Sequence, residues 1–188
     1  QGMCAGIRDV SNLAWKISHC LKNEHNDKLL NTYQSERSSN VKEYIETTMR
    51  MGEFVNAVGK SPITNNISAD SKGRKSMKSI KPRLGRGLGD LKDKFRGKIF
   101  PQFIIKKNKK LDEKFSLKPA LIISDEIKKN ISSKIKLIKS KNIKNLELFF
   151  KEHNCKAVIV RPDRFILSSC TSVKNFNSYL NKNLSLLA

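Results

Sequence analysis

Two sets of residues in this chain are of types that can do chemistry, and their spacing separates them. Four cysteines (Cys4, Cys20, Cys155 and Cys170) and three histidines (His19, His25 and His153) are the candidates for metal ligation or thiol chemistry. The cysteines form no C-x-x-C pair and the histidines fall into no metal-ligand spacing, whereas zinc and dithiol sites both need clustered ligands. Reduced, buried thiols and no metal site are expected. The second set is the opening run Gln1-Gly2-Met3-Cys4-Ala5-Gly6-Ile7-Arg8-Asp9, small and loop-like, leading straight into a helix. At such a junction free backbone N–H groups and the positive end of the helix dipole converge, and glycine allows close backbone approach. An anionic group is what that arrangement holds. On its own the pattern is weak, because many helices start after a glycine.

The element that must position this run is a helix from Asp9 to about Leu21. Val10, Leu13, Ala14, Ile17 and Leu21 recur at helical spacing as a face to bury, and Asp9 stands where an N-cap carboxylate would. A polar turn over 23–27 leads to a second helix from about Lys28 to Val58, with Leu29, Leu30, Tyr33, Val41, Tyr44, Ile45, Met49 and Phe54 available for burial, ended by Gly59 and Pro62. Residues 59–97, rich in Ser, Lys, Gly and Asn, read as a linker or loop and a domain boundary. Beyond it, β-type runs near 119–124, 134–139, 157–161 and 164–168 alternate with helical ones near 125–131, 143–153 and 172–182, the order of a small α/β domain. Arg161-Pro162-Asp163-Arg164 lies between two apolar runs, where Pro and Asp favour a tight turn, so the last two strands are expected to form a hairpin.

Composition bounds the rest. The 188 residues suffice for one domain or two small ones, and the apolar runs fall far below the roughly 18 residues of a membrane span, so a soluble, cytoplasmic protein is expected. Gln1 does not read as a translation start or a signal peptide, and a lost upstream segment is expected. Net charge is +21, unevenly placed: residues 1–60 carry 8 Lys/Arg against 7 Asp/Glu, residues 61–188 carry 30 against 10. Such a balance suggests a polyanion partner. Against this, lysine outnumbers arginine 29 to 9 and is scattered among Asn and Ile, with no aromatic residues interleaved to stack on bases. A solvated lysine-rich surface is the favoured reading. A basic, non-catalytic module that binds nucleic acid or another polyanion through residues 60–110 is the alternative.

The run Gln1-Gly2-Met3-Cys4-Ala5-Gly6-Ile7-Arg8-Asp9-Val10-Ser11-Asn12-Leu13-Ala14-Trp15-Lys16 closely resembles a segment of the FAD-dependent phenol hydroxylase family, nearest to the 3-(3-hydroxyphenyl)propionate hydroxylases. In the same order, Leu30-Asn31-Thr32-Tyr33-Gln34-Ser35-Glu36-Arg37 resembles a family helix and Arg83-Leu84-Gly85 through Phe100-Pro101-Gln102 its interdomain segment. Val160-Arg161-Pro162-Asp163-Arg164-Phe165 resembles the hairpin of its thioredoxin-like C-terminal domain. The resemblance implies an α+β or α/β chain: the C-terminal helices of a flavin-monooxygenase FAD domain (1–58), a linker (59–97) and a small thioredoxin-like domain (98–188) without C-x-x-C. It implies FAD as cofactor and NAD(P)H as co-substrate, with the reduced flavin activating dioxygen to hydroxylate a small phenolic ring.

In that family the loop matching Gly2-Met3-Cys4 places backbone amides near the pyrimidine edge of the flavin, so Gly2, Met3, Cys4, Ala5 and Gly6 are the implied cofactor-binding residues. Amides at a helix N-terminus would stabilise the negative charge of reduced flavin without a titrating side chain. Many members have Asn where Cys4 stands, so its backbone rather than its thiol is implicated. No G-x-G-x-x-G follows a strand here, and the fingerprint and most of the substrate pocket are expected upstream; no catalytic acid or base is nominated within 1–188. Arg8 and Asp9 read as capping or surface-pairing residues, Arg37 as a helix-surface ion pair or an interdomain contact rather than a substrate ligand, and Trp15 as packing. The C-terminal domain is expected to pack on the flavin domain or to contribute to homodimer contacts.

Overall fold

The computed structural model describes residues 2–22, 27–56, 67–69, 75–77, 81–106, 109–115, 118–128 and 135–184. Two long helices come first, α1 (Gly2–Lys22) and α2 (Asp27–Asn56). Helix α1 starts at Gly2 rather than Asp9: the opening run is not a loop but the helix's own first turns, which Met3 and Ala5, good helix formers, can carry. Asp9 therefore lies inside the helix and is no N-cap. Gln1, the turn over 23–26 and the helix-ending Gly59 and Pro62 lie outside the described residues.

Two small antiparallel pairs follow, β1 (Ile67–Ala69) with β2 (Lys75–Met77) and β3 (Ile104–Lys106) with β4 (Lys109–Lys110), then a 3-10 turn at Leu111–Lys114. The main sheet comprises β5 (Ala120–Ile123), β6 (Lys136–Lys139), β7 (Ala157–Val160) and β8 (Ile166–Cys170), in the order β6-β5-β7-β8. Strand β5 runs parallel to β6 and antiparallel to β7, which pairs antiparallel with β8. Helix α3 (Lys144–Glu152) precedes β7, and α4 (Phe176–Leu184) follows β8. The expected helix near 125–131 is not formed over 125–128, which make a turn; 129–131 lie outside the described residues.

The inner strands Ala120-Leu121-Ile122-Ile123 and Ala157-Val158-Ile159-Val160 are buried at every position, as continuous apolar runs covered on both faces must be. Side chains alternate between two cores. Ala120, Ile122, Val158 and Val160 join Phe95, Phe100, Phe103 and the Leu146, Phe149 and Phe150 face of α3. Leu121, Ile123, Ala157 and Ile159 join Leu167 and Phe176 of α4.

The hairpin expected at 161–164 is present. Arg161 N–H donates to Phe165 O at 2.9 Å and Arg164 N–H to Arg161 O at 3.0 Å, with Arg164 at φ 68. Residues 81–97 have the irregular backbone expected of a loop, yet they are built into the molecule. Leu84 N–H donates to Gly97 O (2.9 Å), Gly97 N–H to Ile166 O (2.8 Å), and Leu84 and Phe95 are buried. Gly89, at φ 88, lies so close to Leu167 O that a side chain there has no room.

Candidate functional site

The residues implied as flavin contacts sit together at the exposed start of α1. Gly2, Met3 and Cys4 are exposed, Ala5 and Gly6 half-buried, and Met3 retains 78% of its surface. The first amides of an α-helix have no carbonyl partner within the helix. No acidic side chain stands in this first turn to neutralise the positive dipole end, and apart from chain neighbours and the helix's own backbone nothing described lies within 4 Å of where a Cβ would stand at Gly2 or Gly6. An anionic edge therefore has open access. The Cys4 carbonyl accepts from Arg8 Nη1 at 3.1 Å, while the Arg8 guanidinium lies over the Tyr44 ring at 5.0 Å.

The face that α1 turns inward is the reverse of the one periodicity selects. Val10, Ile17 and Leu21, expected in the core, are 67%, 41% and 80% exposed, and Asn12, Trp15 and Lys16 are buried instead. The polar pair enters a cluster of charges centred on Glu36 of α2. The Arg161 guanidinium grips the Glu36 carboxylate with both terminal nitrogens (2.8 and 2.9 Å) and also donates to Asp163 Oδ2 (2.6 Å) and Oδ1 (3.1 Å). Lys16 Nζ donates to Glu36 Oε2 at 2.9 Å, and Asn12 Nδ2 to Asp163 Oδ2 at 2.8 Å. Leu88 N–H donates to Glu36 Oε1 at 3.0 Å, and the Trp15 ring lies 5.1 Å from the Arg161 guanidinium. Glu36 and Lys16 are 0% exposed and Arg161 1%.

Burial alone would raise the Glu36 pKa; Arg161, then Lys16, outweigh it and hold it at about 2. For Arg161 burial acts to lower and the carboxylates of Asp163 and Glu36 win, so its pKa rises. Burial lowers that of Lys16, opposed by Glu36. A carboxylate saturated in this way is no general base. What the cluster does is fix where α1 and α2 stand on the α/β unit, since its members come from two helices, the 81–97 segment and the β7–β8 turn.

Arg37, expected as a helix-surface ion pair or an interdomain contact, is an ion pair but a buried one, 3% exposed. Its Nε donates to Asp9 Oδ1 at 2.7 Å, and its partner Asn40 donates to Pro82 O (2.8 Å) and Arg83 O (3.2 Å). Trp15 packs, as expected, and does so under a guanidinium. The hub at Glu36 was missed. Its sequence signal is that Asn12 and Lys16 flank Trp15 on one helical face, and that Glu36-Arg37 and Asn40 share a face on the next helix. Of the thiols expected to be buried, Cys155 and Cys170 are, whereas Cys4 is exposed. Burial pushes the Cys155 thiol up to about 11.

Residues 1–48 match the family described as FAD binding domain. That match covers α1 and most of α2, the elements carrying the exposed glycine-flanked start and the Glu36 hub. A "Probable NADH-specific resorcinol 4-hydroxylase" of Rhodococcus jostii is 35% identical over 109 residues, 56% of this chain and 20% of that protein. A "3-(3-hydroxy-phenyl)propionate/3-hydroxycinnamic acid hydroxylase" of Escherichia coli is 40% identical over 55 residues, 29% of this chain and 10% of that protein. This chain thus spans a fifth or less of these relatives, and its similarity to these hydroxylases holds over that share. The solved structure "Native and K252c bound RebC-10x" shares the mixed helix-and-sheet fold with TM-score 0.52 at 16% identity, covering 100% of this chain and 40% of that one. No helix among the described residues is long and apolar enough to cross a membrane.

Proposed function

We propose that this chain forms the C-terminal part of a cytoplasmic flavoprotein monooxygenase that hydroxylates a small phenolic substrate with NAD(P)H and dioxygen. The observation that carries this is the FAD-binding-domain match over residues 1–48, falling on a helix whose start is open, glycine-flanked and free of acidic side chains. Bound FAD would pass electrons from NAD(P)H to dioxygen and one oxygen atom to the aromatic ring.

The chain's own contribution is electrostatic. The first-turn amides of Gly2, Met3 and Cys4 would face the anionic edge of the reduced isoalloxazine, with Ala5 and Gly6 completing the turn. A helix N-terminus stabilises a nearby negative charge by about 0.3–1 kcal/mol when exposed and up to about 2 kcal/mol when partly buried. The Glu36–Arg161 cluster would hold α1 so that this end stays in place. Acid–base groups, the dinucleotide fingerprint and most of the substrate pocket belong, on this reading, to a region upstream of Gln1.

Residues 98–188 are read as a thioredoxin-like domain, after residues 1–58 of the flavin domain and a 59–97 connection. The sheet order β6-β5-β7-β8 with one parallel and two antiparallel pairings, followed by α4, supports this. The turn after β5 carries Ser124-Asp125-Glu126-Ile127 where a redox member would carry its dithiol, so the domain's role is packing or homodimer contact.

The test is to express the chain with an upstream FAD-binding region and follow NADH oxidation, oxygen uptake and hydroxylated product with resorcinol and with 3-(3-hydroxyphenyl)propionate. Phenol-dependent, stoichiometric product formation is expected. A flavin-free protein that binds nucleic acid with a steep salt dependence would overturn the reading.

A further inference from the structure

Residues 83–96 fold around a cleft of about 270 Å³ lined by Arg83, Leu84, Arg86, Leu91, Asp93 and Arg96. The basic surplus of the chain is mostly scattered lysine, but three of its nine arginines meet in this one cleft. The single carboxylate beside them is already satisfied: Asp93 Oδ1 accepts from Phe95 N–H and from Ser169 Oγ, both at 2.8 Å, and Oδ2 from Ser169 N–H. Like charges brought together in this way favour an ion of the opposite sign between them.

Two of the guanidiniums are held by backbone carbonyls, which fix their place and bring no counter-ion. Arg83 Nη2 donates to Lys94 O (2.6 Å) and Arg96 O (2.9 Å), while Arg96 Nε donates to Leu88 O (2.7 Å) and Nη1 to Gly85 O (2.6 Å). Arg96 is only 6% exposed, yet its Nη2 has no hydrogen-bond acceptor among the described residues. Glu36 Oε1 stands 3.9 Å from it, beyond hydrogen-bond reach, and already accepts from Arg161 and from Leu88 N–H. A buried donor left over in this way marks a missing partner. Arg86 is exposed and makes no hydrogen bond or ion pair with the described residues. Its neighbours Gly85 and Gly87 press on α2, where a Cβ would run into Ser35 O and into the Glu36 side chain, so the backbone that carries Arg86 is seated.

We infer that the 83–96 cleft binds the phosphate group of a small molecule, with Arg83, Arg86 and Arg96 as its donors. A phosphate monoester carries about −1.5 to −2 charges at neutral pH and three strong acceptor oxygens. That charge matches three arginines less one aspartate, and the oxygens suit planar guanidinium forks; a carboxylate would bring one charge and two oxygens. The cleft falls below the roughly 300–1,000 Å³ of pockets that enclose drug-sized ligands, so it takes the phosphate and the start of its ester, with Leu84 and Leu91 as the apolar wall. This site goes beyond the flavin reading and stands without it.

The test is isothermal titration calorimetry of the 188-residue chain with inorganic phosphate at neutral pH, ionic strength being held constant with chloride. One saturable site is expected. Arg86→Ala should weaken it about tenfold, and Leu91→Glu, which sets a carboxylate among the arginines, should abolish it. Both side chains are exposed, so both variants should keep the thermal midpoint of the parent. Lys139→Ala, which removes the same charge at an exposed position on β6, should leave the affinity within about twofold. Glycerol 3-phosphate and 2′-AMP separate the sources: competition with inorganic phosphate supports a phosphate ester as ligand, and its absence supports the free ion. Heat that never saturates, or equal losses in Arg86→Ala and Lys139→Ala, would assign the binding to the diffuse lysine surface and overturn the site. So would phosphate affinity that survives Leu91→Glu, and acetate that displaces phosphate at equal concentration would overturn the choice of ligand.

Discussion

The joint between the long helices and the sheet unit is built from charge, and the interior of the sheet unit from hydrocarbon, and the two respond to damage in different ways. In the sheet, Leu121, Ile122, Val158 and Ile159 are fully buried among side chains of the same kind, and stability follows the area removed from water. In the joint, Lys16, Glu36 and Arg161 are buried just as fully, but each charge is tolerated only while its partners remain. The apolar core supplies stability that degrades gradually. The ionic joint supplies a unique placement of α1 and α2 and fails sharply.

Glu36→Ala should produce the largest loss, about 3–5 kcal/mol in chemical denaturation, because Arg161 and Lys16 are left buried without their shared counter-ion. Leu146→Ala in the apolar core should cost about 2–5 kcal/mol with its size set by the cavity left. The two become distinguishable in 1 M salt, where the Glu36→Ala loss should remain, since a buried pair is poorly screened. A loss that salt largely abolishes would show the joint to be a surface feature.

Acid sharpens the same contrast. The folded pKa of Glu36 lies at about 2, below its ordinary 4.5, so its contribution is fully present above pH 4.5 and is lost as pH falls toward 2. A shift of that size corresponds to stability on the order of 3 kcal/mol. Urea unfolding followed from pH 6 to pH 2 should show the decline, and Glu36→Gln should flatten it; equal slopes in both proteins would remove Glu36 from the account.

Two glycine substitutions should give the smallest effects and opposite signs. Gly89→Ala, at φ 88 and hard against Leu167 O, should destabilise by about 1–3 kcal/mol by breaking the seat of the 81–97 segment on β8. Gly52→Ala, in open space within α2, should stabilise by up to about 1 kcal/mol. Thermal midpoints of the two variants check both, and a destabilising Gly52→Ala would mean that the exposed end of α2 meets something not seen in the chain alone.

Much of the sheet unit was legible because its signals are local. Ala120–Ile123 and Ala157–Val160 are unbroken apolar runs, and Pro162-Asp163 is a turn whatever surrounds it. The residue types at the start of α1 were equally legible, although the helix boundary was misplaced: Gly2 and Gly6 suggested a loop, and nothing local shows that the turn between them stays helical. Residues 81–97 read as a linker from composition, since Ser, Lys and Gly describe an irregular backbone and leave open whether it is packed. The buried face of α1 was the clearest failure. Periodicity identifies an apolar stripe and then assigns it to the core, an assumption that fails when the chain's own core lies behind a polar face.

The sequence by itself determined the apolar strands at 120–123 and 157–160, the hairpin at Arg161–Arg164, and the likeness of the opening residues to flavin-dependent hydroxylases, because each depends on neighbours within a few positions. Only the tertiary structure decided that Glu36, 125 residues from Arg161, takes its guanidinium in both oxygens, and that α1 buries Asn12 and Lys16 while leaving Val10 and Leu21 outside. The reason is that a charge chooses its partner by distance in space. No one-dimensional pattern records which of many carboxylates will lie within 3 Å of a given arginine once burial has made an unpaired ion too costly to keep.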